Sequence, residues 1–237
     1  MADTLTLPMQ RPRIIELVGP AGVGKSAVTE ELARVPGVLC TSVWQVPLTA
    51  LAWATACTLP SASMLIRRAG APLSRELRHI ARLRALLDFL DRDDLSAYRY
   101  IVLDEGPIYT LAWLRVIGHP VFRDYRTDSW RHYTAGLWAA EIDEVVLLDA
   151  SDPVLARRLR ARQKQHVMAH ETDRAITAFS MRYRAAFNDT ISLMRQHGRF
   201  AVRDFRTDHD SADTIAEHIL AGRTPAAAAA LRELVRG

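Results

Sequence analysis

A chain of 237 residues, 49% hydrophobic and 24% charged, has the make-up of an ordinary globular protein with room for one full α/β core. Its net charge of +4 is mild, and its basic residues are spread along helical segments without an aromatic-interleaved patch, which argues against nucleic acid as a partner. Two cysteines, Cys40 and Cys57, are too few and too unpatterned for a disulfide framework or a zinc site, so a reducing, cytoplasmic setting is expected.

Residues 1–12 read as a loose arm ending at Pro12, and Met1 to Arg13 lack the apolar core of a signal peptide. Ile14 to Val18 form an apolar run, read as a buried strand. The run leads into Gly19-Pro20-Ala21-Gly22-Val23-Gly24-Lys25-Ser26, which satisfies G-x-x-x-x-G-K-[ST] in full, and a helical pattern follows from Ala27 to Arg34. Strand, glycine loop and helix together mark a phosphate-binding P-loop. Gly19, Gly22 and Gly24 permit backbone conformations closed to residues with a Cβ, so successive N–H groups can converge on one anion. The helix start at Ala27 adds its partial positive charge. Gly19 to Ala27 is therefore the expected nucleotide-binding segment, with Lys25 on the β- and γ-phosphates and Ser26 on Mg²⁺. Only two of 31 basic residues are lysines, Lys25 and Lys164, so lysine stands where the motif needs a compact point charge.

Pro36-Gly37 breaks the first helix, and Val38 to Ser42 fit a short second strand. No charged residue occurs between Arg34 and Arg67. Within that stretch the pattern predicts a helix over Val46 to Cys57 and a loop around Leu59 to Ser63. The longest plausible helix there, Leu48 to Leu59, is shorter than the about 20 residues a bilayer needs, so a buried helix or an apolar ligand wall is expected and no membrane. After the break at Gly70-Ala71-Pro72, Ser74 is expected to cap a helix over Arg75 to Leu90. Leu77, Ile80, Leu83, Leu87 and Leu90 form its apolar face. Arg75, Arg78, Arg82 and Arg92 occupy its other sides, as a solvated face or with one or two reaching the active cleft.

Tyr100-Ile101-Val102-Leu103-Asp104-Glu105 is a strand with acids at its carboxyl end, the Walker B pattern that brings an acid near a P-loop metal. Gly106-Pro107 turns the chain into a helix over Ile108 to Val116, and a loop follows at Gly118-His119-Pro120. Thr127 to Ala140 is an aromatic-rich helix with Trp130, Tyr133 and Trp138, expected to pack in the core. Val145 to Asp149 is a further buried strand. Asp152-Pro153 opens a helix bearing Arg157, Arg158, Arg160 and Arg162, followed by Lys164 and His166. A long helix over Asp173 to His197, a strand over Phe200 to Phe205 and a helix over Ser211 to Leu220 complete the pattern. Thr224 to Gly237 reads as an alanine-rich helix or tail. The alternation predicts a three-layer α/β/α P-loop NTPase fold with a mainly parallel five-stranded sheet. One domain is expected over residues 1–222, with residues 223–237 appended.

Leu147 to Arg162, a strand ending in Asp149 followed by an arginine-bearing helix, resembles the thymidylate kinase-like group of P-loop nucleoside and nucleotide kinases. So do Met181-Arg182-Tyr183-Arg184-Ala185-Ala186-Phe187 and the Thr207-Asp208 helix start. The resemblance spans Ile14 to Leu220. It implies phosphoryl transfer from ATP, with Mg²⁺, to a small-molecule acceptor, by positioning and charge neutralisation. It also implies a helical lid over about residues 157–172, with Arg158 and Arg162 closing on the triphosphate. Asp104 matches the family's acid at the third strand. It would take the proton of the attacking hydroxyl or hold a metal-bound water. A homodimer is compatible with the resemblance.

The chain departs from the family at the next position. The family places Arg after the acid, and this chain has Glu105, which would support the metal or the acceptor. An anion there suits an uncharged or cationic acceptor better than a nucleoside monophosphate. A nucleoside, sugar or natural product fits that requirement, and Trp44 and Trp53 are candidates to stack on its ring or to pack in the core. The alternatives are a thymidylate-like nucleoside monophosphate kinase, a nucleotide-switch ATPase in which Glu105 activates water, and a non-catalytic nucleotide-binding regulator.

Overall fold

The computed structural model describes residues 11–91, 93–161, 168 and 170–222. Strand β1 (Arg13–Val18) lies at the centre of a five-stranded sheet of order β2-β3-β1-β4-β5. Its partners are β3 (Tyr100–Asp104) on one side and β4 (Glu144–Asp149) on the other. Strands β2 (Val38–Thr41) and β5 (Ala201–Arg206) form the edges, and every pairing is parallel. Parallel strands need crossovers, and helices supply them on both faces.

Alternate residues of β1 serve the two layers. Ile15 and Leu17 point to the side of α1 (Lys25–Ala33) and α8 (Ala212–Leu220), where they pack with Val28, Leu32, Ile215 and Ile219. Ile14 and Val18 join the larger core. That core is built with α3 (Ser74–Leu90), α4 (Pro107–Val116), α5 (Asp128–Ala139) and α7 (Asp173–Arg195). Burial on both sides explains the unbroken apolar run, each fully buried side chain contributing about 1.5–3 kcal/mol. Glu16 interrupts the run and is fully buried on the α4 side.

The uncharged stretch differs from expectation. Helix α2 runs unbroken from Leu48 to Ala69, 22 residues, straight through Pro60 and the expected loop at residues 59–63. Proline removes one backbone donor, the helical partner of the Ala56 carbonyl, without ending the helix. Leu65, Ala54 and Ala62 form a narrow buried seam, while Leu48, Trp53 and Leu59 are exposed. The length criterion that argued against a membrane span therefore does not apply, because α2 is long and apolar enough to cross one. In the fold it packs along α3.

Smaller differences are local. Ser74 is the first residue of α3 and makes no capping bond. In α5, Trp130 and Trp138 are buried as expected, whereas Tyr133 is exposed. Helix α6 (Asp152–Arg160) starts after Ser151 and carries Pro at its first turn. Arg92, Arg162, Lys164, His166 and the C-terminal residues 223–237 lie outside the described residues.

Candidate active site

The carboxyl ends of β1 and β3 open on one cavity of about 480 Å³. The phosphate loop forms its floor. Gly19 is required by crowding, since a Cβ there would sit 2.3 Å from the Leu148 carbonyl oxygen of β4. Gly22 and Gly24 are required by conformation, with φ of 84° and 100°. Gly24 is also the N-cap of α1, so the loop delivers the chain into a helix whose first residues, Lys25 and Ser26, line the cavity. Lys25 opens α1 and folds back over the loop, its Nζ donating to the Gly19 carbonyl at 2.7 Å. Ser26 follows in the same first turn and lines the cavity. Of the expected segment, Pro20 and Ala27 fall outside that lining.

Asp104 ends β3 directly beside Leu17 of β1, which brings its carboxylate to the cavity wall. Glu105 is the one described non-glycine residue with positive φ, at 66°. A residue with a Cβ costs roughly 1–2 kcal/mol in that region, so the surroundings must hold it there. Two contacts do so. The Trp44 indole N–H donates to Glu105 Oε2 at 2.6 Å, and the Val43 amide donates to the Glu105 carbonyl at 3.4 Å. Trp44 follows β2, on the far side of β3 from the phosphate loop, so the contact draws the carboxylate toward the β2 edge.

Trp44 is itself clamped. The Arg82 guanidinium lies 4.7 Å from its ring centroid and donates to the Val43 and Trp44 carbonyls. His79 meets it edge-on at 5.0 Å and stacks on Trp113 at 3.9 Å. Burial lowers the His79 pKa and favours a neutral ring in this stack. Of the two tryptophans singled out from the sequence, Trp44 reaches the site, whereas Trp53 is 65% exposed on α2 and neither is core.

Glu16 supports the same turn from below. Both carboxylate oxygens accept α4 amides at 3.0 Å, one from Ile108 and one from Tyr109. They cap a helix whose own N-cap, Gly106, offers no side chain. A Cβ on Gly106 would lie 2.8 Å from the Glu16 carboxyl carbon, so the turn after Glu105 can be this tight only with glycine. Burial lifts the Glu16 pKa to about 8; the α4 amides oppose the shift and the Asp104 charge adds to it.

Arg158 lines the cavity, but it is pinned. It donates to Thr207 Oγ1 and to the Thr207 carbonyl, both at 2.8 Å, and to the Val23 carbonyl at 3.3 Å. The Thr207 hydroxyl donates to Val23 as well, at 2.7 Å. Arg158 thus ties α6, the segment after β5 and the phosphate loop together. Arg162, its expected partner in a lid, is outside the described residues. Arg184, from the α7 stretch that carried the resemblance, is bound to Asp149 and Asp152.

Three aromatic side chains complete the wall: Tyr109 from α4, and Phe179 and Tyr183 one turn apart on α7. The Tyr109 and Tyr183 rings lie 6.3 Å apart and 18° from parallel, and Phe179 meets Tyr183 edge-on at 5.0 Å. Burial, with the Tyr109 and Glu105 side chains nearby, raises the Tyr183 pKa and keeps its hydroxyl protonated. Tyr183 lies in the stretch that carries the family resemblance, whereas no motif marks Tyr109 or Phe179. The spacing 179, 183, 187 is a helical stripe that reads equally well as core, and Phe187 is indeed core.

The oxygen donors fit Mg²⁺. Ser26 and Asp104 line one cavity, and hydroxyl and carboxylate are the ligands this ion takes. Among the described residues no group of three or more His, Cys, Asp or Glu could hold a metal.

No protein-family model and no curated protein matches the sequence. Solved structures do match by fold. The YorR protein of Bacillus subtilis, in complex with phosphorylated GDP, is 16% identical with a TM-score of 0.52, the match covering 87% of this chain and 93% of that one. Deoxyadenosine kinase from M. mycoides, with dCMP and a flexible dCDP bound, is 15% identical with a TM-score of 0.51, covering 88% and 97%. The same enzyme with bound dCTP gives 13% and 0.50, covering 88% and 99%. At such identities the likeness establishes the fold. The chain has the three-layer α/β fold of the P-loop nucleoside and nucleotide kinases, with the parallel five-stranded sheet expected from its sequence.

Proposed function

We propose that this protein is a kinase that uses Mg²⁺ and ATP to phosphorylate a hydroxyl group of a small molecule lacking a phosphate of its own. The observation that carries the reading is the meeting of the phosphate loop and Asp104 across one cavity with an aromatic far wall. Loop amides and Lys25 cradle the phosphates of the donor, and Ser26 and Asp104 would hold Mg²⁺, which would supply neutralisation of phosphate charge. Asp104, on the cavity wall, takes the role of a base or of an orienting acid toward the attacking hydroxyl in this reading. Arg158, at the cavity wall, adds positive charge on the donor side. The aromatic wall, closed by buried Tyr183, keeps water from competing with the acceptor. The thymidylate kinase-like resemblance supports the reading, and the fold likeness to a deoxyadenosine kinase agrees with it.

An acceptor screen following ADP release tests it. Nucleosides, sugars and hydroxylated natural products are offered with Mg²⁺ and ATP, beside thymidine monophosphate. The expected result is acceptor-dependent ADP release, absent in Lys25→Ala and strongly reduced in Asp104→Asn. Efficient phosphorylation of thymidine monophosphate would reject a non-phosphorylated acceptor.

A further inference from the structure

We propose that Thr207 is a positioning residue for the nucleotide: its hydroxyl, together with Arg158, holds the Val23 carbonyl so that the Gly24 amide faces the phosphates. This deepens the kinase reading and rests on its nucleotide site. Val23 and Gly24 share one trans peptide, in which the carbonyl and the N–H point in opposite directions. Gly24 sits at φ of 100° with no Cβ to restrict it, so the residue that permits the turn also leaves this peptide easy to rotate. A rotated peptide would turn the carbonyl toward the cavity, where its partial negative charge would meet phosphate in place of the N–H. The choice between the two orientations is made outside the loop.

The Val23 carbonyl accepts the Thr207 hydroxyl at 2.7 Å and the Arg158 guanidinium at 3.3 Å. The two donors are themselves joined. Arg158 donates to the Thr207 hydroxyl oxygen at 2.8 Å, which leaves the hydroxyl proton for Val23. Thr207 stands on the end of the sheet. Its amide donates to the Asp149 carbonyl at 2.9 Å, one step beyond the last β4–β5 pair, Asp149 with Arg206. The carboxylate of the next residue, Asp208, accepts the Ser151 amide at 2.8 Å. The Val23 side chain is buried in the core, so the residue is held from two directions. Thr207 lies behind the loop, outside the cavity lining, whereas Gly24 is part of that lining. Thr207 therefore acts through the Val23–Gly24 peptide, passing the rigidity of β4 and β5 to one N–H of the anion cradle.

Three variants test the proposal. Thr207→Val and Thr207→Ala remove the hydroxyl, and Thr207→Ser keeps it. Each variant and the wild type are titrated calorimetrically with a non-hydrolysable ATP analogue and Mg²⁺ at pH 7, melted without nucleotide, and assayed for phosphate transfer from ATP to the acceptor panel. Loss of one hydrogen bond behind the cradle should weaken the analogue about three- to tenfold in Thr207→Val and Thr207→Ala, with Thr207→Ser within about twofold of the wild type. The melting curves report folding separately, since a purely structural role would lower Tm and leave the affinity of the folded protein unchanged. Affinity within about twofold of the wild type in either hydroxyl-free variant, or Thr207→Ser as weak as those variants, would overturn the proposal. So would a wild type that binds no analogue. Hydroxyl-dependent binding without transfer to any acceptor would instead remove the kinase reading and leave the positioning role standing. Transfer by a protein whose nucleotide affinity is indifferent to the hydroxyl would do the reverse.

Discussion

The two ends of the cavity are built by different means. The donor end is almost all backbone: consecutive residues 19–26, two glycines at positive φ, one glycine crowded against β4, and a helix start. The acceptor end is assembled from side chains far apart in sequence. Trp44 follows β2, Arg82 belongs to α3, Glu105 follows β3, and Phe179 and Tyr183 belong to α7. A backbone cradle requires particular residue types at fixed spacing and serves any triphosphate. A side-chain cradle can change with each contributing element, so specificity resides there. The same phosphate loop can therefore serve different acceptors when the distant elements change.

Four substitutions and one control test this contrast, in order of expected effect. Lys25→Ala should lower kcat/KM about 10²–10³-fold, as loss of one preorganised charge on a transferring phosphoryl group does, with little change in Tm. ADP release and a melting curve check both halves. Gly19→Ala should cost about 1–3 kcal/mol, because the new Cβ meets a strand carbonyl that cannot yield. Urea unfolding measures it. Gly70→Ala is a control with nothing within 4 Å, so only its φ of 63° resists the change.

Glu16→Gln probes the support beneath the acceptor end. Its folded pKa of about 8 lies above the ordinary 4.5, so the folded protein holds this proton more tightly than the unfolded chain. The associated stability is complete below 4.5 and is lost as pH rises through about 8, with a slope of at most about 1.4 kcal/mol per pH unit. Urea unfolding at pH 5, 6.5 and 8 should show this decline in the wild type and a flatter line in Glu16→Gln. Parallel lines would contradict it. The smallest effect belongs to Glu105→Gly, in which relief of the left-handed backbone and loss of the Trp44 hydrogen bond offset each other, leaving stability within about 1 kcal/mol of the wild type while the acceptor side of the cavity changes. Unchanged acceptor selectivity in Glu105→Gly would confine Glu105 to a structural role.

What could be read from the sequence follows the same division. The loop was legible because a backbone site prescribes its residues, and the strands were legible because burial on both faces leaves unbroken apolar runs such as Ile101 to Leu103. Asp104 was legible from its place at a strand end. A proline inside an uncharged stretch reads as a break, yet α2 runs through Pro60, its seam of Ala54, Ala62 and Leu65 buried on both sides of it. Tyr109 and Phe179 were hidden because an aromatic residue on a helix looks the same whether it lines a cavity or fills a core. Glu16 looked like an anomaly inside a strand. Only the position of α4 above it shows that it caps a helix 92 residues away.

The central claim is that phosphate leaves the loop for an organic hydroxyl. Incubation with γ-labelled ATP, Mg²⁺ and the acceptor panel, followed by separation of labelled products, tests it directly. Label is expected in an organic phosphate ester, formed by the wild type and lost in Lys25→Ala. Label appearing solely as inorganic phosphate, at a rate indifferent to every acceptor, would contradict it and favour a nucleotide switch.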